Sequence, residues 1–380
     1  FPVAYFPKFF HPDPSVKRQS GLLSPAIGDH NTLGDSVYLP YFFVISDDKD
    51  ITIKPRLFNN GIRLLQTEYR QLTKNSLTII DTSLTRGHDS SPTDRGDTRT
   101  HFFANSKIDL DFKKFINSKL EINYEKSSND NYLKLFDFIR SPLLIGKNNS
   151  SLESSIRLNL EHENYDLTTS FEMYETLNGS NSDRYQYVLP YYDFSKNIDY
   201  ENVNGSLSFN SSGNNTLSET NKLTSTVSNS LNYTSFDFFT DNGIKSNNEI
   251  ILRNNNSMGN NSLRYKNSPQ SELMGIYAYN ASLPLKKFNE NTIKTLVPKL
   301  SFIASPQDMK DHNSTGRRIN VDNVFGIDRL RLGDSLEAGE SLTLGIEFQK
   351  EKITNKDKIL EIEEYFDFKL ATVFRLNKEE

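Results

Sequence analysis

Apolar side chains return at every second position in run after run of this chain, a period that fits β-strands and not amphipathic helices. "SKLEINYEK" sets Leu120, Ile122 and Tyr124 on one face against Lys119, Glu121, Asn123 and Glu125 on the other. "SIRLNLEHE" repeats the scheme with Ile156, Leu158 and Leu160 against Arg157, Asn159 and Glu161. "DITIKPRLF", "YDLTTSFEMYE" and "SLTLGIEFQK" follow the same rule. About sixteen such runs, each of about 9 to 12 residues, are separated by clusters of Asn, Asp, Gly, Ser and Lys, and no amphipathic helix exceeds a turn or two. The fold class expected is all-β, an antiparallel up-and-down meander.

Composition narrows what such a meander buries. The chain is 35% hydrophobic but 12% aromatic, with 26 Phe and 18 Tyr, so it is too aromatic for disorder and too polar for a thick core. No apolar run reaches the length of a membrane-spanning helix. A transmembrane β-barrel remains open, because only alternate residues of its strands face lipid. The absence of Cys removes disulfides, thiolate metal sites and cysteine nucleophiles. A net charge of −5, without a basic aromatic stripe, gives no reason to expect nucleic acid. "FPVAYFPKFF" has no positive segment before an apolar one and does not begin with Met, so the chain reads as an internal piece of a longer protein.

The connections are of two kinds. "FNNGI", "TKNS" and "HENYD" are tight, whereas residues 85 to 98, 176 to 184 and 304 to 320 are long and polar. Short turns alternating with long loops suit an outer-membrane barrel, although soluble β-sandwiches also show them. The Ser/Asn/Thr-rich stretch 204 to 235 reads as a pair of polar strands around an Asn-rich loop, since Thr and Leu still alternate there. Its Asn-X-Ser/Thr triplets follow from that composition.

No catalytic constellation stands out, and neither a metal nor a cofactor is expected. His11, His30, His88, His101, His162 and His312 lie in different runs without ligand spacing, which points to surface or lumenal positions. There is no nucleophile elbow, phosphate loop or dinucleotide fingerprint. In "NVFGIDRLRLGDSLEAGESLTLGIEF" (323 to 348), Asp328, Arg329 and Arg331 break the alternation, as a bent or bulged strand entry would. An ion pair there that ties a loop to the sheet is the simpler reading, with a functional polar site as the alternative. Pro25 and Pro40 interrupt two neighbouring β-like runs, and each lacks the N–H that a ladder needs.

"PKFFHPDPSVKRQSGLLSPAIG", "YLPYFFVISDDKDITIKPRLFNNGIRLLQTEYRQL", "LVPKLSFIASP" and "NVFGIDRLRLGDSLEAGESLTLGIEF" resemble, in that order, segments of the LptD family of lipopolysaccharide-assembly proteins. The resemblance implies a periplasmic β-jellyroll followed by a barrel of about 26 strands. Residues 1–16 would be the tail of the jellyroll, and 17–380 roughly the first sixteen or seventeen barrel strands, with the closing strands outside the chain. The cysteines that join the two domains in the family have no counterpart here. The first strand would be 17 to 27 and the second 35 to 45, placing Pro25 and Pro40 beside the seam that opens as a lateral gate. The role implied is transport, not catalysis: lipopolysaccharide would pass sideways into the outer leaflet of a Gram-negative outer membrane. The implied partners are outer-membrane lipid, an LptE-like plug lipoprotein inside the barrel and an LptA-like periplasmic bridge. Lys54, Arg56, Glu68 and Arg70 are then the lumen-facing polar candidates. A porin, a plugged receptor, or a secreted carbohydrate-binding or carbohydrate-cleaving sheet would also account for the alternation.

Overall fold

The computed structural model describes residues 18–88, 97–139, 150–178, 183–201, 203–289, 291–307, 316–332, 335–356 and 359–376. Within them the alternating runs are strands, and the chain is all-β. The strands are β1 (Gly21–Leu22), β2 (Ala26–Gly28), β3 (Ser36–Tyr38), β4 (Tyr41–Ser46), β5 (Lys49–Phe58), β6 (Arg63–Leu72), β7 (Ser76–His88), β8 (Asp97–Asp109), β9 (Asn117–Ser127) and β10 (Ser151–Glu161). They continue as β11 (Tyr165–Thr176), β12 (Tyr185–Asn197), β13 (Gly205–Ser218), β14 (Lys222–Ser235), β15 (Phe238–Phe239) and β16 (Lys245–Asn260). The last are β17 (Gln270–Ser282), β18 (Leu285–Asn289), β19 (Thr292–Ser305), β20 (Gly339–Lys356) and β21 (Ile359–Arg375). The only helical pieces among the described residues are α1 (Tyr132–Leu135) and a 3-10 turn at Asp137–Ile139. None is long and apolar enough to cross a membrane.

The chain forms two compact units. Unit 1 comprises Phe1–Glu163, Leu167–Tyr191 and Asn215–Leu223; unit 2 comprises Asn164–Asp166, Tyr192–Asn214 and Thr224–Glu380. In unit 1 the sheet runs antiparallel from β5 through β6, β7, β8 and β9 to β10. In unit 2 it runs from β16 through β17, β19 and β20 to β21.

Outside the apolar patches packed beneath α1 and beneath the turns ahead of β20, the strand faces are inverted relative to a soluble protein. Buried on the inner side of unit 1 are polar groups such as Asp50, Gln66, Glu68, Asp81, Arg99 and Glu125. Exposed on the outer side are Phe43, Ile53, Leu57, Leu65, Leu84 and Phe102. The registers show how this arises. Arg157 faces Glu121 and Ser155 faces Asn123 on one side, while Ile122 faces Ile156 and Leu120 faces Leu158 on the other. One pleat therefore separates the wet face from the apolar face.

Several details differ from the expectations. The described residues hold 21 strand segments where about sixteen runs were read, in part because Pro25, Pro40 and Pro284 each cut a run in two. The continuous strands expected at 17 to 27 and 35 to 45 are each two short pieces, broken beside Pro25 and Pro40. Residues 204 to 235 do form two strands, β13 and β14, but the turn is not Asn-rich. It is Glu219, Thr220 and Asn221, the first two with φ values of +48° and +61°, so one of its three residues is Asn. Asn214 and Asn215 are carried inside β13. Strands β7 and β8 extend into the loop read at 85 to 98, leaving 89 to 96 outside the described residues. Residues 1–16, expected as a jellyroll tail, also lie outside them, as do His11 and His312.

Candidate functional site

The inner face of unit 1 is built by two consecutive ten-residue strands. β5 ("KDITIKPRLF") points Asp50, Thr52, Lys54 and Arg56 inward, and β6 ("RLLQTEYRQL") points Gln66, Glu68 and Arg70 the same way. All four residues read as lumenal polar candidates therefore share one inner surface. Lys54 Nζ lies 2.9 Å from Glu68 Oε2, and Arg70 Nε lies 2.7 Å from Asp50 Oδ1 and 3.8 Å from Glu68 Oε1. Arg18 adds a further ion pair to Asp50. The result is an ionic ladder of three cations and two carboxylates. Arg56 stands apart from it, its guanidinium 5.1 Å from the ring of Tyr38 and 4.1 Å from that of Phe138. Those two rings take the place of a carboxylate partner.

Farther along the same face the wall is covered by α1 and the 3-10 turn. Tyr132, Leu133, Phe136 and Ile139 pack on Leu33, Phe58, Leu64 and Phe103, the main apolar cluster of unit 1. The Tyr132 hydroxyl sits 2.7 Å from Ser83 Oγ and also reaches Thr85. Burial pushes that phenol above its ordinary pKa. Ser83 Oγ also meets His101 Nδ1, and His101 Nε2 lies 3.5 Å from Asp81 Oδ2. Gln66 Nε2 donates to Asp81 Oδ1 at 3.0 Å and to the carbonyl of Ile139.

A serine, a histidine and an aspartate in contact suggest a nucleophile, but all three are buried and the Tyr132 hydroxyl occupies the approach to Ser83. The arrangement fastens a short helix to a strand wall. His101, expected at a surface or lumenal position, lies on the inner face opposite Ser83 but is buried there beneath Tyr132 of α1.

In unit 2 the loop ahead of β20 is tied down in a comparable way. Asp328, Arg329 and Arg331 lie in a chain of turns and not in a strand entry, since β20 begins only at Gly339. Arg329 is 2% exposed and donates to both Glu337 oxygens, at 2.8 and 2.7 Å, and to Ser341 Oγ at 2.8 Å. Arg375 reaches the same carboxylate. Asp328 pairs with Arg253 of β16 at 3.3 Å, while Arg331 is exposed, with φ +48°.

The prolines form a pattern only partly visible in the sequence. β1 pairs with β4 and β2 with β3, so Pro25 and Pro40 both lie in the gap between the two short ladders. Leu23 N donates to the Pro40 carbonyl at 2.9 Å, and Leu39 N to the Pro55 carbonyl at 3.1 Å. Pro55, inside β5, thus continues the row into a third strand. The sequence reading passed over it because it sits in an otherwise regular alternating run. The constant spacing of fifteen residues from Pro25 to Pro40 to Pro55 was the available signal. Asp50, Arg18 and the Tyr132 fastening were also missed. The fastening was announced only by "YLKLFDFI", a run whose apolar spacing is helical. Among the described residues, no group of three or more His, Cys, Asp or Glu could hold a metal ion.

The family model described as "LptD: LPS transport system D" matches residues 98–380. An LPS-assembly protein LptD of Pseudoalteromonas translucida is 35% identical over 96 residues, a quarter of this chain (25%) and 13% of that protein. The LPS-assembly protein LptD of Idiomarina loihiensis is 26% identical over 178 residues, 46% of this chain and 22% of that protein. The aligned part is thus less than a quarter of either relative's length. A solved bacterial polysaccharide outer-membrane secretin aligns over 96% of this chain with 9% identity and a TM-score of 0.27, too slight a likeness to carry an argument.

Proposed function

Because this chain belongs to the LptD family, a transport family and not a family of enzymes, we propose that it forms a large part of an outer-membrane β-barrel that delivers lipopolysaccharide to the outer leaflet. The observation that carries the reading is the inverted burial along β5 to β10, where Asp50, Glu68, Asp81 and Glu125 are buried on one face while Ile53, Leu65, Leu84 and Phe102 are exposed on the other. A lipid-facing wall around a polar lumen requires that arrangement. The substrate has acyl chains and an anionic head, so its passage needs an apolar route for the tails beside a polar one for the head.

Pro25 and Pro40 are proposed as elements of a lateral gate. Each withholds one ladder donor, which weakens pairing by roughly 1 kcal/mol, and the two lie together where β1 to β4 are shortest. Lys54, Glu68 and Arg70 would line the polar route with Asp50. Arg56, held between two rings, would brace the helix of unit 1 against the wall. An LptE-like plug and an LptA-like bridge are the partners expected of the full-length protein.

Depleting the full-length protein from its host should remove lipopolysaccharide from the cell surface, followed by surface labelling of the lipid, while porin-mediated solute uptake stays unchanged. Normal surface lipopolysaccharide with lost solute uptake would replace this reading with that of a porin.

A further inference from the structure

Across the outer face of unit 1 one row of side chains turns from apolar to cationic. Ile27 stands opposite Val37, Val37 opposite Leu57, Leu57 opposite Arg63 and Arg63 opposite Arg86, so the row crosses β2, β3, β5, β6 and β7 in turn. It ends at Arg86, where the register of β7 on β8 shifts between Thr85 and His88. No carboxylate stands in it. Ile27, Val37, Leu57 and both arginines are exposed, and among the described residues neither guanidinium forms an ion pair. Their chain neighbours fix the face: Leu64 is buried in the cluster under α1, and Thr85 is buried against the Tyr132 hydroxyl. Like charges directly opposite in a ladder are destabilising, so an anion that joins both arginines relieves the strand pair.

One pleat period away, on the same face, Leu65 stands opposite Leu84, and both are exposed. Farther along β6 the outward residues are Thr67, Tyr69 and Gln71, with Lys49 opposite Gln71. From Arg63 to Gln71 is eight residues, or ~26 Å of strand, and a tilt of about 40° leaves roughly 20 Å along the barrel axis. That is close to the roughly 25 Å height of the apolar band of an outer-membrane barrel. The arginine end is the one from which β7 connects to β8 and β9 to β10 by the longer loops, whereas the Gln71 end carries the tight turn between β6 and β7. In such barrels the longer loops are extracellular. The arginines therefore stand where the acyl chains of the outer leaflet give way to headgroups.

We infer that Arg63 and Arg86 hold a phosphate of lipopolysaccharide newly delivered to the outer leaflet, whose acyl chains lie against Leu65 and Leu84. The inference rests on the transport reading proposed above and adds to it a receiving site on the outside of the wall. Two planar guanidinium forks on neighbouring strands match the oxygens of one phosphate, which ammonium groups would hold only as point charges. Ile27, Val37 and Leu57 carry the apolar part of the row back to the strands beside Pro25 and Pro40. From β2 to β6 is three strand spacings, about 14 Å, so a lipid leaving by the first strands keeps its tails in apolar contact until its phosphate meets the arginines. A lipid is favoured over free phosphate because the leucine pair adjoins the arginine pair. Lipopolysaccharide is favoured over a phospholipid because the site stands at the extracellular end.

The test uses the full-length protein with a photo-crosslinking benzoylphenylalanine in place of Leu65, in nanodiscs of phosphatidylcholine with a trace of lipid A, and counts the crosslinked lipid. Because Leu65 faces outward, lipid inside the barrel does not contribute. Lipid A with its phosphates should be captured in preference to dephosphorylated lipid A, by roughly fivefold for each arginine, and the preference should fall as salt rises. It should vanish in R63Q/R86Q, persist in weakened form in R63K/R86K, and stay whole in K74Q/K113Q, which removes the same charge from the other end of the unit 1 strands. Phosphatidylglycerol at the same level should be captured less than lipid A, and excess inorganic phosphate should displace neither. If R63Q/R86Q does not fold, R86Q alone carries the comparison. Equal capture of the two forms of lipid A, equal capture of phosphatidylglycerol, or displacement by phosphate overturns the inference. The export reading survives any of these, since it is decided by surface lipopolysaccharide after depletion. Failure of the protein to enter nanodiscs at all overturns both.

Discussion

Pro40 and Pro284 hold matching places in their ladders, yet the strands around them differ. Each follows a leucine whose N–H donates 3.1 Å to the carbonyl of a proline in the next strand, Leu39 to Pro55 and Leu283 to Pro298. Near Pro40 the side toward the chain's first strands is fragmentary, with two register pairs between β1 and β4 and three between β2 and β3, while β3 and β4 together face β5 over eight. Near Pro284 the break is bridged. β17 and β18 together face β19 over eleven pairs, six and five, and β19 continues against β20 over fourteen more, passing through Pro298 without interruption. A single missing donor is tolerated where long neighbours hold the register. Pro25 and Pro40, in neighbouring strands, leave the first pieces short, whereas β5 runs through Pro55 against β6 without interruption. Weak pairing at the start of the chain is therefore a property of the pair and not of either proline alone.

The two regions also rest on different electrostatics, and the largest predicted effect concerns that contrast. Arg329→Met would leave Glu337 buried with only Arg375 to answer its charge, which should cost about 3–5 kcal/mol. The loss would be read as earlier unfolding of unit 2 in urea. Arg70→Ala, in the more open ladder of unit 1, should cost no more than about 1 kcal/mol. Equal losses would mean that the two ion clusters are built alike.

Next in size is the pair itself. Pro25→Ala with Pro40→Ala in the full-length protein should allow two ladder bonds, roughly 1 kcal/mol each, and so lower an open population about thirtyfold. Surface lipopolysaccharide should fall while thermal stability stays level or rises. Unchanged export with normal assembly would show that these prolines only shape strand ends. The smallest effect is expected of Pro298→Ala, under about 1 kcal/mol, with export unaffected. An export defect there as large as that of the double variant would erase the distinction between the two regions.

How much of this was legible depended on the range of the interaction. The alternation of β9 and β10 and the shared inner face of Lys54, Arg56, Glu68 and Arg70 follow from period two alone. Arg329 did not reveal its partner, because Glu337 lies eight residues along a loop that folds back on itself. His101 looked solitary, since Asp81, Ser83 and Tyr132 come from other elements. Residues 132 to 139 are too short to assert a helix by propensity, and only the apolar wall beneath them makes one. Pro55 hid inside a good strand.

The central claim is that one pleat divides lipid from water, and the absence of Cys from these 380 residues makes it open to direct test by single introduced cysteines. Spin labels at Leu120, Ile122, Leu158 and Leu160 in the bilayer-reconstituted protein should be accessible to oxygen. Labels at Glu121, Asn123 and Asn159 should respond to a water-soluble relaxation agent. Alternation between the two along β9 and β10 is the predicted result. The same accessibility at odd and even positions would contradict it.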